Sequence, residues 1–141
     1  MSSNSLKFMA LMAGGIALMG GCGKSAIDKV IVSGEVRYND KPLENGQIRF
    51  VPIGQTKGPI SGGVIKDGRY TASGKNGVPV GTHRVEIRSY RPRKGGAGPL
   101  AAEGAATEQF LPAEYNGEST LEASVTADNA SSPIDFSLKG T

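Results

Sequence analysis

One histidine and one cysteine carry all the imidazole and thiol chemistry of this 141-residue chain. A hydrolytic centre needs a nucleophile, a base and an orienting acid within bonding reach of one another. Any such centre would have to be built on His83. In "HRVEIRSY", 83–90, His83 shares its parity with Val85, Ile87 and Ser89, which points the ring inward on a strand. A histidine at the edge of a core, bonded to backbone or to a tyrosine, suits that position better than a base open to substrate; a serine paired with His83 remains as the hydrolase reading. A transition-metal site needs three or four nitrogen or sulfur ligands, so no metal and no other cofactor is expected. Calcium takes oxygen ligands alone. Asp40, Glu44, Asp67 and Asp128 all fall in turn segments without EF-hand spacing, and turn chemistry accounts for them. The other concentration of reactive groups is basic: Arg88, Arg91, Arg93 and Lys94 surround Tyr90 in "RSYRPRKGG", 88–96. Cations beside an aromatic ring suit an anionic glycan, a lipid headgroup or a protein. This segment is the candidate contact surface, with a solvated loop as the plainer alternative.

The elements that must position these groups read as strands. "VIVSGEVRY", 30–38, sets Val30, Val32, Val36 and Tyr38 on one face and Ser33, Glu35 and Arg37 on the other. "GQIRFVP", 46–52, turns Ile48 and Phe50 inward. "ISGGVI", 60–65, is a weaker strand whose glycines suggest a bulge or a close backbone approach. Asp67-Gly68 is a hairpin signal because both residues tolerate positive φ, and "RYTA", 69–72, follows with Tyr70 inward. After a loop, "GKNGVPVGT", 74–82, comes 83–90, whose outer Arg84, Glu86 and Arg88 suggest a solvated sheet surface. Segment 119–127 turns Leu121, Ala123 and Val125 inward, and 133–138 does so with Ile134, Phe136 and Leu138. Between 83–90 and 119–127, 91–113 is a long Gly-, Ala- and Pro-rich loop, with a helical turn expected over 100–108; a loop of this length is usually functional or disordered. "QFLPAEYN", 109–116, could pack as a lid on the sheet edge. Seven short antiparallel strands predict an all-β domain, a two-layer β-sandwich.

The N-terminal end has a different character. Lys7 precedes an apolar run, 8–19, which is shorter than the about 20 residues of a membrane span. Gly20 and Gly21 follow, and then Cys22. That order is the layout of a secretory signal. "LMGGC" resembles a bacterial lipobox, in which the cysteine becomes the first mature residue and is acylated. Cys22 is therefore the candidate lipid attachment site. Ordinary cleavage leaving a free thiol and an uncleaved anchor are the other readings of the same residues. Residues 1–21 would be the signal peptide, 22–29 the lipidated cysteine and tether, and 30–141 the domain. Without 1–21, which hold one lysine, fifteen basic residues face thirteen acidic ones. So near-neutral a balance argues against nucleic acid as a partner.

"VSGEVRYNDKPLENGQIRFVP", "KDGRYTA", "VPVGTHRVEI" and "IDFSL", taken in order, resemble the carboxypeptidase regulatory domain-like group. That resemblance implies a transthyretin-like (prealbumin-like) seven-stranded sandwich with immunoglobulin-like layering. It is similar in particular to small bacterial lipoproteins with one such domain, in which a stretch like "LPAEYN", 111–116, recurs. In the group, the position of His83 is usually aromatic. In this sequence Gly34 and Gly46 mark strand sites where a side chain would crowd its neighbour, which agrees with the resemblance. The resemblance implies no catalytic residues. The transthyretin-like hydrolases of urate breakdown have several histidines and end in Tyr-Arg-Gly-Ser, where this chain has Leu138 and Lys139. Together these readings predict a non-enzymatic, membrane-anchored binding or structural module of the cell envelope, most simply at the outer membrane facing the periplasm or the exterior. Its partners would be the membrane, through the lipid anchor, and an envelope glycan or protein. A carbohydrate- or peptide-binding accessory module of an exported enzyme complex is the rival, and a hydrolase using His83 the weaker one.

Overall fold

Alternating side chains bury one face of a strand and solvate the other, and the chain forms strands wherever that alternation persists. The computed structural model describes residues 26–93 and 107–140. Its strands are β1 (Lys29–Val30), β2 (Val32–Tyr38), β3 (Lys41–Pro42), β4 (Asn45–Pro52), β5 (Ser61–Lys66), β6 (Arg69–Ala72), β7 (Val78–Pro79), β8 (Gly81–Arg88), β9 (Tyr90–Pro92), β10 (Thr107–Gln109), β11 (Glu122–Val125) and β12 (Phe136–Leu138). Short 3-10 turns at Gly74–Asn76, Ala113–Tyr115 and Ala127–Ala130 are the only helical pieces among the described residues.

The seven expected strands are β2, β4, β5, β6, β8, β11 and β12. They form one continuous sheet in the order β11-β8-β4-β5-β6-β2-β12, with β3 attached to β2, rather than two separate sheets. The sheet curls until its ends face each other. Phe50 on β4 lies 6.4 Å, centroid to centroid, from Phe136 on β12, and Tyr70 on β6 lies 6.2 and 6.3 Å from these two rings. The fold occurs at β5, which is hydrogen-bonded to β4 on one side and β6 on the other. A Cβ at Gly62 would meet the Ile48 carbonyl oxygen, and one at Gly63 that of Thr71. Only a strand without side chains at this point lets both neighbours close in. Inside the curl sit Val32, Val36, Ile48, Ile65, Val85, Ile87, Val125 and Leu138, all nearly or fully buried.

The strands are not all antiparallel. β12 runs parallel to β2, with Phe136 opposite Val36 and Leu138 opposite Tyr38. The reason is the route of the chain. β11 ends opposite Gly81, at the end of the molecule where β2 begins. The turn Ala127–Ala130 crosses there, and the Ile134 N–H donates to the Ser33 carbonyl at 2.9 Å, so β12 sets off in the direction of β2.

Segment 91–113 is also more ordered at its ends than a loop. β9 and β10 pair antiparallel, Tyr90 opposite Gln109 and Pro92 opposite Thr107. Of the helical turn expected over 100–108, residues 107 and 108 are strand, and the rest lies outside the described residues. Within 74–82, β7 pairs with β1, which draws Lys29, the last residue of the expected tether, into a strand. Asp67 and Gly68 take positive φ, 51° and 77°, as a two-residue hairpin requires. Asn39 and Asp40 (50° and 65°) turn β2 into β3 in the same way.

This register gives the domain two poles. At one lie β1, β7, the starts of β2, β5 and β8, and the ends of β4, β6 and β11. At the other lie the 67–68 hairpin, the end of β2, β3, the start of β4 and the end of β8, followed by β9. The eight residues of β8 separate them by about 23 Å. The chain enters at the first pole.

Candidate functional site

His83 sits where its strand parity predicts, fully buried. Its ring stands edge-on to Phe50 at 6.0 Å. Nδ1 lies 3.2 Å from the Gly81 carbonyl oxygen and donates to it in the Nδ1–H tautomer. Nε2 is buried without a hydrogen-bond partner among the described residues. Burial lowers the imidazole pKa from its ordinary 6.5, while the bond to Gly81 pulls the other way. Neither ring nitrogen meets substrate-accessible space. Tyr70 is buried too. Its hydroxyl donates to the Ile134 carbonyl at 2.7 Å, and desolvation, reinforced by the Asp135 charge, pushes its pKa upward.

The outer face of β8 departs from the solvated surface its alternation suggests. Glu86 is only 6% exposed. Arg84 Nη2 donates to Glu86 Oε1 at 2.9 Å, Arg49 Nη1 to Oε2 at 3.1 Å, and Arg88 Nη2 approaches Oε2 to 3.6 Å. Arg49 comes from β4, directly opposite Glu86. Three guanidinium groups lie over one carboxylate and cover it, because their long stems spread across the sheet.

Of the basic segment, the structure brings Tyr90 and Arg91 together and leaves Arg88 elsewhere. Arg88 turns toward Glu86, Arg93 is exposed beyond β9, and Lys94 lies outside the described residues, as does Cys22. Tyr90 and Arg91 open onto a groove of about 300 Å³ at the second pole, between β9 and the β2–β3 turn. Tyr38 and Phe110 form its aromatic wall, with ring centroids 5.7 Å apart and planes at 79°. The Arg91 guanidinium lies over Phe110, 5.3 Å from the centroid, and its Nε donates to Glu108 at 2.9 Å. Lys41 and Glu44 line the opposite side. Ser89 in the groove wall is spoken for, since its hydroxyl donates to the Asn45 carbonyl at 2.6 Å. Aromatic faces with a few charged groups around them fit a ligand's apolar face and orient its polar edge. A larger hollow of about 390 Å³, bounded by Gly34, Glu35, Arg69, Tyr70 and Asp135, carries less. Tyr70 is already bonded to Ile134, and Asp135 accepts the Glu35 N–H at 2.8 Å.

Among the described residues, no three of His, Cys, Asp and Glu gather as metal ligands would. The segment 111–116 packs as a clamp. Leu111 is buried, Asn116 Nδ2 donates to the Pro112 carbonyl at 2.9 Å, and the Tyr115 hydroxyl both accepts from the Lys139 N–H (3.1 Å) and donates to the Lys139 carbonyl (3.0 Å). Sequence reasoning missed Tyr38, Lys41 and Glu44 as groove residues. The signal available was the turn at 39–45, which lies beside the start of β9 only once the sheet has curled.

No protein-family model, curated protein or solved structure matches the chain.

Proposed function

We propose that this chain is a lipid-anchored, non-enzymatic binding module of the cell envelope, held by acylated Cys22 at the outer membrane and facing the periplasm or the exterior. We further propose that its curled sheet is a transthyretin-like sandwich of the carboxypeptidase regulatory-like group. The observation that carries this reading is polarity: the chain enters the domain at one pole, and the aromatic groove opens at the other. A module tethered in this way presents its groove away from the membrane. The non-enzymatic part is supported by His83, which is enclosed against Phe50 with Nδ1 bonded to backbone.

The groove lining favours the accessory-module version, in which the ligand is an envelope glycan or peptide. Tyr38, Tyr90 and Phe110 offer ring faces to a sugar or an extended chain, and Arg91 and Lys41 offer donors to its acidic or carbonyl groups. Two measurements test the proposal together. Mass spectrometry of the native protein should find residue 22 as the amino terminus, carrying diacylglycerol on sulfur. Glycan and peptide arrays should retain the wild type and lose a Tyr90→Ala/Arg91→Ala variant with unchanged thermal stability. A free thiol at Cys22, or array binding indifferent to that variant, sinks the corresponding half.

A further inference from the structure

We infer that the pole where the chain enters the domain is a lipid-contacting surface, seated on the bilayer that carries the anchor. This rests on the lipid-anchor reading above and adds a protein–membrane contact to it. The described residues include six large apolar side chains that are exposed: Ile27, Ile31, Ile60, Val64, Val80 and Tyr90. Four of the six, Ile27, Ile31, Ile60 and Val80, lie at this one pole. Ile31 joins β1 to β2, and Ile60 immediately precedes β5. The Val80 N–H donates to the Asp28 carbonyl at 2.9 Å, which sets it beside Ile27. The space next to Gly58 is bounded by Ile27 and Pro79 together. An apolar set of this kind, gathered at one end of a small β domain, is what an interfacial surface presents.

Chain length says what covers it. Four residues lie between Ala26, where the described chain begins, and the Cys22 position counted inclusively from 22 to 25. Fully extended, they reach about 14 Å. A sulfur fixed in the headgroup layer by its acyl chains therefore keeps this pole within about 14 Å of that layer, roughly two headgroup thicknesses. Charge agrees in sign. Lys29, Lys57 and Lys75 ring the pole against Asp28 and Asp128, and anionic headgroups attract such a surplus. Lys29 Nζ is partly engaged, donating to the Lys75 carbonyl at 2.8 Å, while Lys57 is exposed. The surface is apolar first and basic second, so its affinity follows apolar burial more than salt.

The test uses the full acylated protein, with isotope-labelled Ile and Val methyl groups, in bilayer discs of phosphatidylethanolamine and phosphatidylglycerol with and without nitroxide-bearing headgroups. The methyl signals of Ile27, Ile31, Ile60 and Val80 should lose at least about threefold more intensity to the nitroxide than that of Val64. Val64 is the internal control: it is more solvent-exposed than any of the four, at 68%, but lies two residues from the far end of β5. In an Ile27→Ser/Ile60→Ser/Val80→Ser variant, whose positions are all exposed, the remaining Ile31 methyl should regain part of its signal, the short tether still holding the pole near the headgroups. Equal loss at Val64, no loss anywhere, or an Ile31 signal unmoved by the triple substitution overturns the inference. So does loss already present without nitroxide, which would mark contact between copies of the chain. Mass spectrometry of the same sample separates the two claims. A lipidated Cys22 with unquenched methyl groups defeats the contact alone, whereas an unlipidated or uncleaved amino terminus defeats the anchor and the contact with it.

Discussion

His83 and Glu86 are neighbours on β8 with opposite burdens, and each makes a measurable difference to stability. His83 is kept neutral by its surroundings, since its folded pKa lies below the ordinary 6.5. Between the folded and unfolded values the unfolded chain binds more protons, so stability rises with pH there. The contribution is fully present above about pH 6.5 and is lost as pH falls through that value toward the folded pKa. His83→Phe keeps a planar ring against Phe50 and removes the titration. At about pH 7.5 its urea-unfolding free energy should stay within about 1.5 kcal/mol of wild type. Between about pH 7.5 and 5.5 the wild type should lose stability that the variant keeps. Parallel pH profiles for the two proteins would show that the imidazole is not the buried group responsible. Glu86 carries the converse load, as one nearly buried carboxylate beneath three guanidinium groups that are themselves a third or more exposed. Glu86→Gln leaves those cations facing each other. Because water screens the arginines, the expected cost is about 1–3 kcal/mol, less than for a fully enclosed pair. Glu122→Gln, at an exposed site opposite Arg84, should stay within about 0.5 kcal/mol. Equal urea midpoints for the two variants would remove Glu86 from the account.

At the scale of elements, close backbone approach sets the shape. A Cβ at Gly34 would meet the Ile134 carbonyl oxygen and lie 2.9 Å from Cε1 of Tyr70, so β2 can be flanked by 133–135 only while that position is bare. Gly34→Ala must push one of them away. A loss of at least about 2 kcal/mol in urea unfolding is expected, together with faster amide exchange at Ile134. Unchanged exchange there would mean that the strain is relieved elsewhere. The 111–116 clamp makes a parallel case: Leu111→Ala should cost about 2–4 kcal/mol as a buried cavity, read as a lower urea midpoint with the same slope. The strands themselves were legible because alternation is a local property: the parities of His83, Val85 and Ile87, of Ile48 and Phe50, and of Phe136 and Leu138 all hold. What escaped was what distant elements do to one another. Glu86 reads as an outer charge until Arg49 on β4 lies opposite it. Leu43 and Leu111 belong to the core although neither sits in an alternating run. The parallel pairing of β12 depends on where the crossing turn leaves the sheet, and no period in 133–138 records that. The groove was half legible: Tyr90 and Arg91 were visible as a basic, aromatic run, but Phe110 joins them through the β9–β10 pairing and Tyr38 only once the sheet has curled.

At the scale of the whole molecule, the separation of two unlike poles by one strand length is the property with most bearing on function. An apolar, lysine-ringed end where the chain enters and an aromatic groove about 23 Å away give the domain a direction. That direction can be measured with lysines, which happen to mark both ends. Lys57 and Lys75 lie at the first pole, Lys41 and Lys66 at the second, and all four are exposed. On the proposed lipid anchor, an amine-reactive reagent too large to penetrate headgroups should modify Lys57 and Lys75 about threefold or more slowly in the membrane-bound protein than after solubilisation in neutral detergent. Lys41 and Lys66 should react at the same rate in both. Lengthening the tether by a flexible segment after Lys24 distinguishes the two ways this could arise. If the short tether alone holds the pole down, protection disappears when it is lengthened; if Ile27, Ile60 and Val80 contribute a lipid contact of their own, most of the protection persists. Slower reaction at Lys41 than at Lys57 would invert the molecule on its membrane and put the groove against lipid, where it could not meet a soluble glycan or peptide.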